Sequence, residues 1–110
     1  PISLIHFCIP FTEKFEEIVI KTVKEKKPHG IVLHSTIKPY TTERIQKFLD
    51  IPVIYSATRG VHKRMIKDIR RYTKFYSVYD WAPNSKWASK MFSSIMKKSA
   101  VNTKKKCRHL

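Results

Sequence analysis

The chain has 110 residues, with 23 Lys or Arg against 8 Asp or Glu, and a formal net charge of +15 at pH 7. That length fits one domain and can bury a core without disulfides or metal. Its 42% hydrophobic and 12% aromatic content excludes a disordered chain and leaves a folded protein whose charge favours polyanionic partners.

Cysteine usage and hydropathy narrow the setting. Cys8 lies in an apolar run and Cys107 in a basic tail, so a disulfide framework is not expected and a reducing, cytoplasmic environment is. No apolar run reaches the ~20 residues of a membrane helix. No basic segment precedes Ile2 to Ile9, so neither a secretory signal nor a membrane partner is expected. A chain that begins with Pro1 and enters a strand almost at once reads as a fragment or a processed product.

In chain order, Ile2 to Ile9 is a short, nearly continuous apolar run ended by Pro10, which predicts a strand buried on both faces. Thr12 is placed to cap a following helix, with Glu13, Glu16 and Glu17 at its positive end. Phe15, Ile18, Val19, Thr22 and Val23 recur on one helical face, and Pro28 and Gly30 stop the helix. Ile31 to Thr36 reads as the second strand. Pro39 breaks the chain, Thr41 or Thr42 is placed to cap a second helix, and Ile45, Phe48 and Leu49 form its predicted inner face. Pro52 to Ser56 reads as a third strand. Val61, Met65, Ile69 and Tyr72 recur at helical spacing, Lys74 to Tyr79 reads as a fourth strand, and Ala88, Met91, Phe92, Ile95 and Met96 mark a last helix.

The order β-α-β-α-β-α-β-α predicts an α/β domain with a parallel sheet of about four strands and alternating helices, a partial Rossmann-like domain over residues 1–98. Residues 99–110 are lysine-rich and aperiodic and read as a basic tail that frays.

In an open parallel sheet, ligands bind outside the carboxyl ends of the strands. Those ends carry Pro10 and Thr12 after the first strand, Ser35 and Thr36 after the second, and Arg59 after the third. Hydroxyls at a strand end can bond a ribose or an amide, and helix N-termini beside them favour phosphate. Ser35, Thr36, Pro10, Thr12 and Arg59 are therefore the candidate cofactor-binding residues. Thr12 and Thr42 serve equally as plain helix caps. The dinucleotide fingerprint G-x-G-x-x-G needs three glycines and the chain has 2, so the pyrophosphate-binding half of a Rossmann domain is missing.

Residues 31–44, Ile-Val-Leu-His-Ser-Thr-Ile-Lys-Pro-Tyr-Thr-Thr-Glu-Arg, resemble the strand, Ser-Thr and Pro-Gly-Thr-Thr segment of the UDP-glucose and GDP-mannose dehydrogenases. Residues 53–75, from Val-Ile-Tyr-Ser through Arg-Gly-Val-His to Tyr-Thr-Lys-Phe, are similar to the next strand and loop of that group, and Cys8-Ile9-Pro10 resembles its counterpart. The match is collinear over about residues 2–98 and corresponds to the second half of the family's NAD-binding domain.

The resemblance implies an oxidoreductase parent, NAD as cofactor, and Thr36 near the nicotinamide end. It implies a nucleotide cofactor and the remainder of the parent chain as partners, with a nucleotide sugar and homo-oligomerisation left open. Departures accompany it. The family's glycine after the proline is Tyr40, its Pro-Glu after the third strand is Ala57-Thr58, and its Thr-Pro is Ile9-Pro10. Its catalytic cysteine lies downstream in a segment this chain lacks, so no catalytic residue is assigned and the chain is not expected to catalyse alone.

A second reading rests on charge. Arg59, Lys63, Arg64, Lys67, Arg70, Arg71 and Lys74 crowd a span opposed only by Asp68, and this face is the candidate surface for nucleic acid. The bland alternative is a solvated helix face. Tyr76, Tyr79, Trp81 and Trp87 can stack on bases, although core packing explains them as well. His6 and His34 fall on candidate neighbouring strands, but no carboxylate or thiolate lies at ligand spacing, so no metal site is expected.

Overall fold

The computed structural model describes residues 2–57, 74–98 and 103–105. The helix expected over Val61 to Tyr72, the candidate Arg59 and most of the basic span lie outside the described residues. Within them the elements run β1 (Leu4–Phe7), α1 (Phe15–Lys26), β2 (Gly30–Leu33), α2 (Thr41–Phe48), β3 (Val53–Tyr55), β4 (Lys74–Tyr76), α3 (Ser85–Lys98) and β5 (Thr103–Lys105).

β2 is the middle of a three-stranded parallel sheet. Leu4 to Phe7 pair with Gly30 to Leu33 on one side, and Val53 to Tyr55 pair with Ile31 to Leu33 on the other. Every residue of β2 is buried, as an uninterrupted apolar strand in a doubly covered sheet should be. Its alternation serves two cores. Ile31 and Leu33 join Phe7, Phe15, Val19, Val23, Ile45 and Val53 under α1 and α2. Val32 joins Ile54, Tyr76, Val78, Ala88 and Phe92 under α3. Helices on both faces of a parallel sheet make this a partial Rossmann-like α/β fold.

The fourth expected strand leaves this sheet. Lys74–Tyr76 pairs in parallel with Thr103–Lys105, inside the segment expected as tail, to form a separate two-stranded sheet. Its next residue, Ser77, meets Tyr55 in an antiparallel bridge at the end of β3. Hydroxyls knit this region together. Tyr76 Oη lies 3.0 Å from Ser89 Oγ, Ser93 Oγ donates to Tyr76 Oη at 3.2 Å, and Thr103 Oγ1 donates to Ser93 Oγ at 3.4 Å. The buried phenol is thereby satisfied, as a buried polar group must be.

β1 is shorter and less covered than its sequence suggests. Of Leu4 to Phe7 only Phe7 is buried and His6 is exposed. The apolar run gives no hint that one side of β1 is the sheet edge among the described residues. Gly30 opens β2 because there is no room for more. A Cβ there would lie 3.0 Å from Leu4 Cδ2, 3.2 Å from Trp87 Cζ3 and 3.3 Å from Pro52 Cγ.

The helix boundaries correct three expectations. Thr12 does not cap α1. The helix begins after Lys14, and Thr12 Oγ1 accepts the Lys14 N–H at 3.3 Å in the turn before it. At the other end Lys27, with φ of 48°, supplies the left-handed closing residue and donates to Val23 O. Neither Thr41 nor Thr42 caps α2, because both are buried in its first turn, and Thr42 Oγ1 has no hydrogen-bond partner among the described residues. Phe48 is 72% exposed where an inner face was expected. The buried position of that turn belongs to Gln46, whose Nε2 donates to Ile51 O and whose Oε1 accepts from Val53 N–H. The amide side chain satisfies the backbone that carries α2 into β3, a role that apolar periodicity cannot reveal.

The residue before α2 is Tyr40, with φ of 68° and ψ of −5°. This is the left-handed region, which costs a residue bearing a Cβ about 1–2 kcal/mol. The resembled family has glycine here, the residue that sits in this conformation without strain. Tyr40 is 68% exposed, so its ring contributes little packing. Tyr40→Gly is expected to raise the unfolding free energy by up to about 1 kcal/mol after the added chain entropy of glycine is subtracted, and with it the denaturation midpoint. Tyr40→Ala, which keeps the strain, is expected to leave the midpoint unchanged or lower it.

Candidate functional site

The carboxyl ends of β1, β2 and β3 lie side by side, fixed by the parallel register. His34 N–H donates to Phe7 O at 2.9 Å, and Ser56 N–H donates to Leu33 O at 2.9 Å, so the ladder runs one residue past each strand. The residues that follow, Cys8 to Pro10, His34 to Thr36 and Ser56 to Ala57, therefore form one rim.

Hydroxyls on this rim divide into two kinds. Ser35 Oγ donates to Ile9 O, in a short hydrogen bond that ties the loop after β1 to the loop after β2. Ser56 is buried and its Oγ donates to Phe75 O at 2.7 Å, tying the end of β3 to β4. Both are structural clasps, and Ser35 is also one of the candidate ligand groups. Thr36 is exposed, and so is Pro10. Thr12 is exposed and occupied with the turn before α1. Of the five residues singled out by sequence, Ser35, Thr36 and Pro10 are brought to the rim, Thr12 belongs to the turn beside it, and Arg59 is not described.

One pairing joins the third residue of β1 to the first residue after β2. His6 Nδ1 stands 2.8 Å from His34 Nε2. The sequence puts them on candidate neighbouring strands; the pairing, its register and the shared face emerge from the fold. His34 also lies against Phe92 of α3, with ring centroids 6.5 Å apart.

Farther out, Tyr79 and Trp81 pack ring on ring with centroids 4.8 Å apart. Trp81 is 55% exposed, whereas Tyr76 is buried in the core. Burial raises the Tyr79 phenol above its ordinary value, and the nearby Glu43 charge adds to the effect. The raised group favours the neutral phenol, so any stability it lends is present below the ordinary tyrosine range and is lost as pH climbs through the shifted value. Among the described residues no three His, Cys, Asp or Glu side chains gather where a metal would be held. No described helix is long and apolar enough to cross a membrane.

No protein-family model matches the chain, and no curated protein matches it. A solved structure does, the UDP-D-ManNAc dehydrogenase from Pyrococcus horikoshii, with a TM-score of 0.68 at 17% sequence identity. The likeness is one of fold. It takes in 96% of this chain and 29% of that one, so this chain spans less than a third of the length of that enzyme.

The Ser35 clasp makes a direct expectation. Ser35→Ala removes the donor from a half-buried carbonyl, which costs about 1–2 kcal/mol. It is also expected to speed amide exchange across residues 8–12 while leaving β2 protected. Unchanged stability and exchange would show that the clasp does not hold the rim.

Proposed function

We propose that this chain is the second half of the NAD-binding domain of a nucleotide-sugar dehydrogenase-like oxidoreductase, and that it supports the cofactor without catalysing on its own. The observation that carries the reading is the fold likeness to a UDP-D-ManNAc dehydrogenase over nearly the whole chain, joined to a Ser35-Thr36 strand end on the rim. Fold alone does not imply function, so the residues have to fit the ligand.

They fit part of it. Thr36 and Pro10 are exposed at neighbouring strand ends, where a ribose or a carboxamide can meet a hydroxyl and a flat apolar ring. Ser35 positions the loop that carries Pro10. The sequence supplies no glycine-rich turn for a pyrophosphate, so in this reading the phosphates fall to the remainder of the parent chain. NAD, when bound, accepts the hydride that leaves the sugar carbon. The residues of this chain bind and orient, in a protein of the cytoplasm.

NAD titrated into the intact parent protein tests the reading. It is expected to shift the backbone signals of Thr36 and its neighbours. Thr36→Val, which keeps the shape and removes the hydroxyl, should weaken NAD by about tenfold, the value of one well-made hydrogen bond. NAD binding that leaves residues 34–36 unperturbed, or no binding at all, would contradict it.

A further inference from the structure

The described helices on the two faces of the three-stranded sheet differ in charge. α1 carries Glu16, Glu17 and Glu25 among its lysines, and α2 pairs Lys47 with Glu43 at 3.2 Å and Arg44 with Glu16 at 2.8 Å. α3, on the opposite face, has no acidic residue. From Ile69 to Leu110 the only acidic side chain is that of Asp80. Lys86, Lys90, Lys97 and Lys98 are exposed, and none of them forms an ion pair among the described residues. Helical spacing gathers these cations. Lys90 and Lys97 follow Lys86 by about one turn and about three, within about 40° round the axis, in a row about 16 Å long. Ala88 and Phe92 lie on the other side of the helix, in the core with Val32 and Ile54.

Trp81 stands at the head of this row. Its turn is held by Ala82 N–H, which donates to Tyr79 O at 3.1 Å, and by Ser85 Oγ, which donates to Asp80 O at 3.3 Å. Tyr79 stacks against the indole with centroids 4.8 Å apart and ring planes 27° apart, yet Trp81 stays 55% exposed. Tyr76 is buried, and Tyr79 and Trp87 are half-buried, so Trp81 is the ring presented to solvent. The row leads away from the cofactor rim. Trp87 lies by Gly30 at the start of β2 and Phe92 by His34 beyond its end, so Trp81 and Lys86 are at the end of the sheet far from the rim.

We infer that the outer face of α3, with Trp81 at its head, is a docking surface for single-stranded nucleic acid. The inference is independent of the cofactor reading and uses a different surface from the Arg59 to Arg71 span. The lysine row supplies unpaired cations along a line, which is what a phosphate backbone meets. Trp81 supplies a braced π-face on which an unpaired base can stack, and every base has such a face. A duplex offers the same phosphates but keeps its bases stacked inside. A membrane suits the face less well, because the apolar side of α3 is packed on the sheet and has nothing to insert into lipid. An acidic peptide would meet the lysines and leave the indole without a matching flat ring.

The test is fluorescence anisotropy of a labelled oligo-dT of about fifteen nucleotides, titrated with the whole protein over a range of salt concentrations. Binding is expected to weaken steeply with salt and to quench indole fluorescence. Lys86→Gln/Lys90→Gln/Lys97→Gln should weaken it by about tenfold or more and lower the slope of log affinity against log salt by about 2, roughly 0.7 for each phosphate contact removed. Lys14→Gln/Lys21→Gln/Lys24→Gln on α1 removes the same charge from the opposite face and should cost far less. Trp81→Ala should weaken binding by about fivefold or more and abolish most of the quenching. These side chains are exposed, so the variants keep the fold. No binding, equal losses from the two triple variants, or an unchanged affinity for Trp81→Ala would overturn the inference. So would tighter binding of a duplex of the same length, or binding to phosphatidylcholine–phosphatidylserine vesicles without binding to the oligonucleotide.

Discussion

Everything described here hangs on β2. Among the described residues it is the strand with a partner on each side and a core on each face, and its four residues are buried. Parallel pairing on both flanks fixes the register of β1 and β3, and that register alone brings Pro10, Thr36 and Ser56 to one rim. The constraint begins at Gly30, where Leu4, Trp87 and Pro52 close in from three elements. It ends at Leu33, whose carbonyl accepts the first amide beyond β3. A core side chain of β2 cut to alanine would forfeit about 2–5 kcal/mol, a large share of what a small domain has. By comparison the Arg44–Glu16 ion pair between α2 and α1, 2.8 Å long and solvent-exposed, contributes little.

The rim uses much of its polar chemistry to hold itself together. Ser35 and Ser56 spend hydroxyls on backbone carbonyls of the neighbouring loop and strand. Such clasps make a rigid edge on which exposed groups, Thr36 above all, stand at fixed positions. A preformed rim of this kind is what a ligand at the ends of parallel strands requires. The charge of +15 acts at longer range and suits an anionic ligand or partner without saying where it docks. Of the face from Arg59 to Lys74 proposed for nucleic acid, Arg59 to Arg71 lie outside the described residues.

The architecture was legible where burial is uniform. A run such as Ile31 to Leu33 has few alternatives to a covered strand, and Phe15, Val19 and Val23 stand where their spacing predicts. Sequence failed where one side chain decides a local matter. Ile18 and Phe48 continue apolar patterns yet face solvent, because the helix stripes that meet the sheet are narrower than the patterns. Gln46 looks like a surface residue and is buried, because backbone groups at the turn into β3 need its amide. Thr12, Thr41 and Thr42 have the right chemistry for caps, but Lys14 and Tyr40 occupy those positions. The candidate site was legible as a set of strand ends. Which hydroxyls face outward, and that His6 meets His34, depend on register and shared faces that no single-sequence pattern encodes.

Native-state amide exchange of the intact protein tests the central claim most directly. The amides of Ile31, His34 and Ser56 donate to Pro52, Phe7 and Leu33 carbonyls across the two β2 interfaces. They are expected to exchange among the slowest in the chain, opening only with global unfolding. Exchange at these three positions as fast as at exposed Thr36, Lys38 and Tyr40 would contradict a β2 locked between two parallel neighbours, and with it the rim that the strand supports.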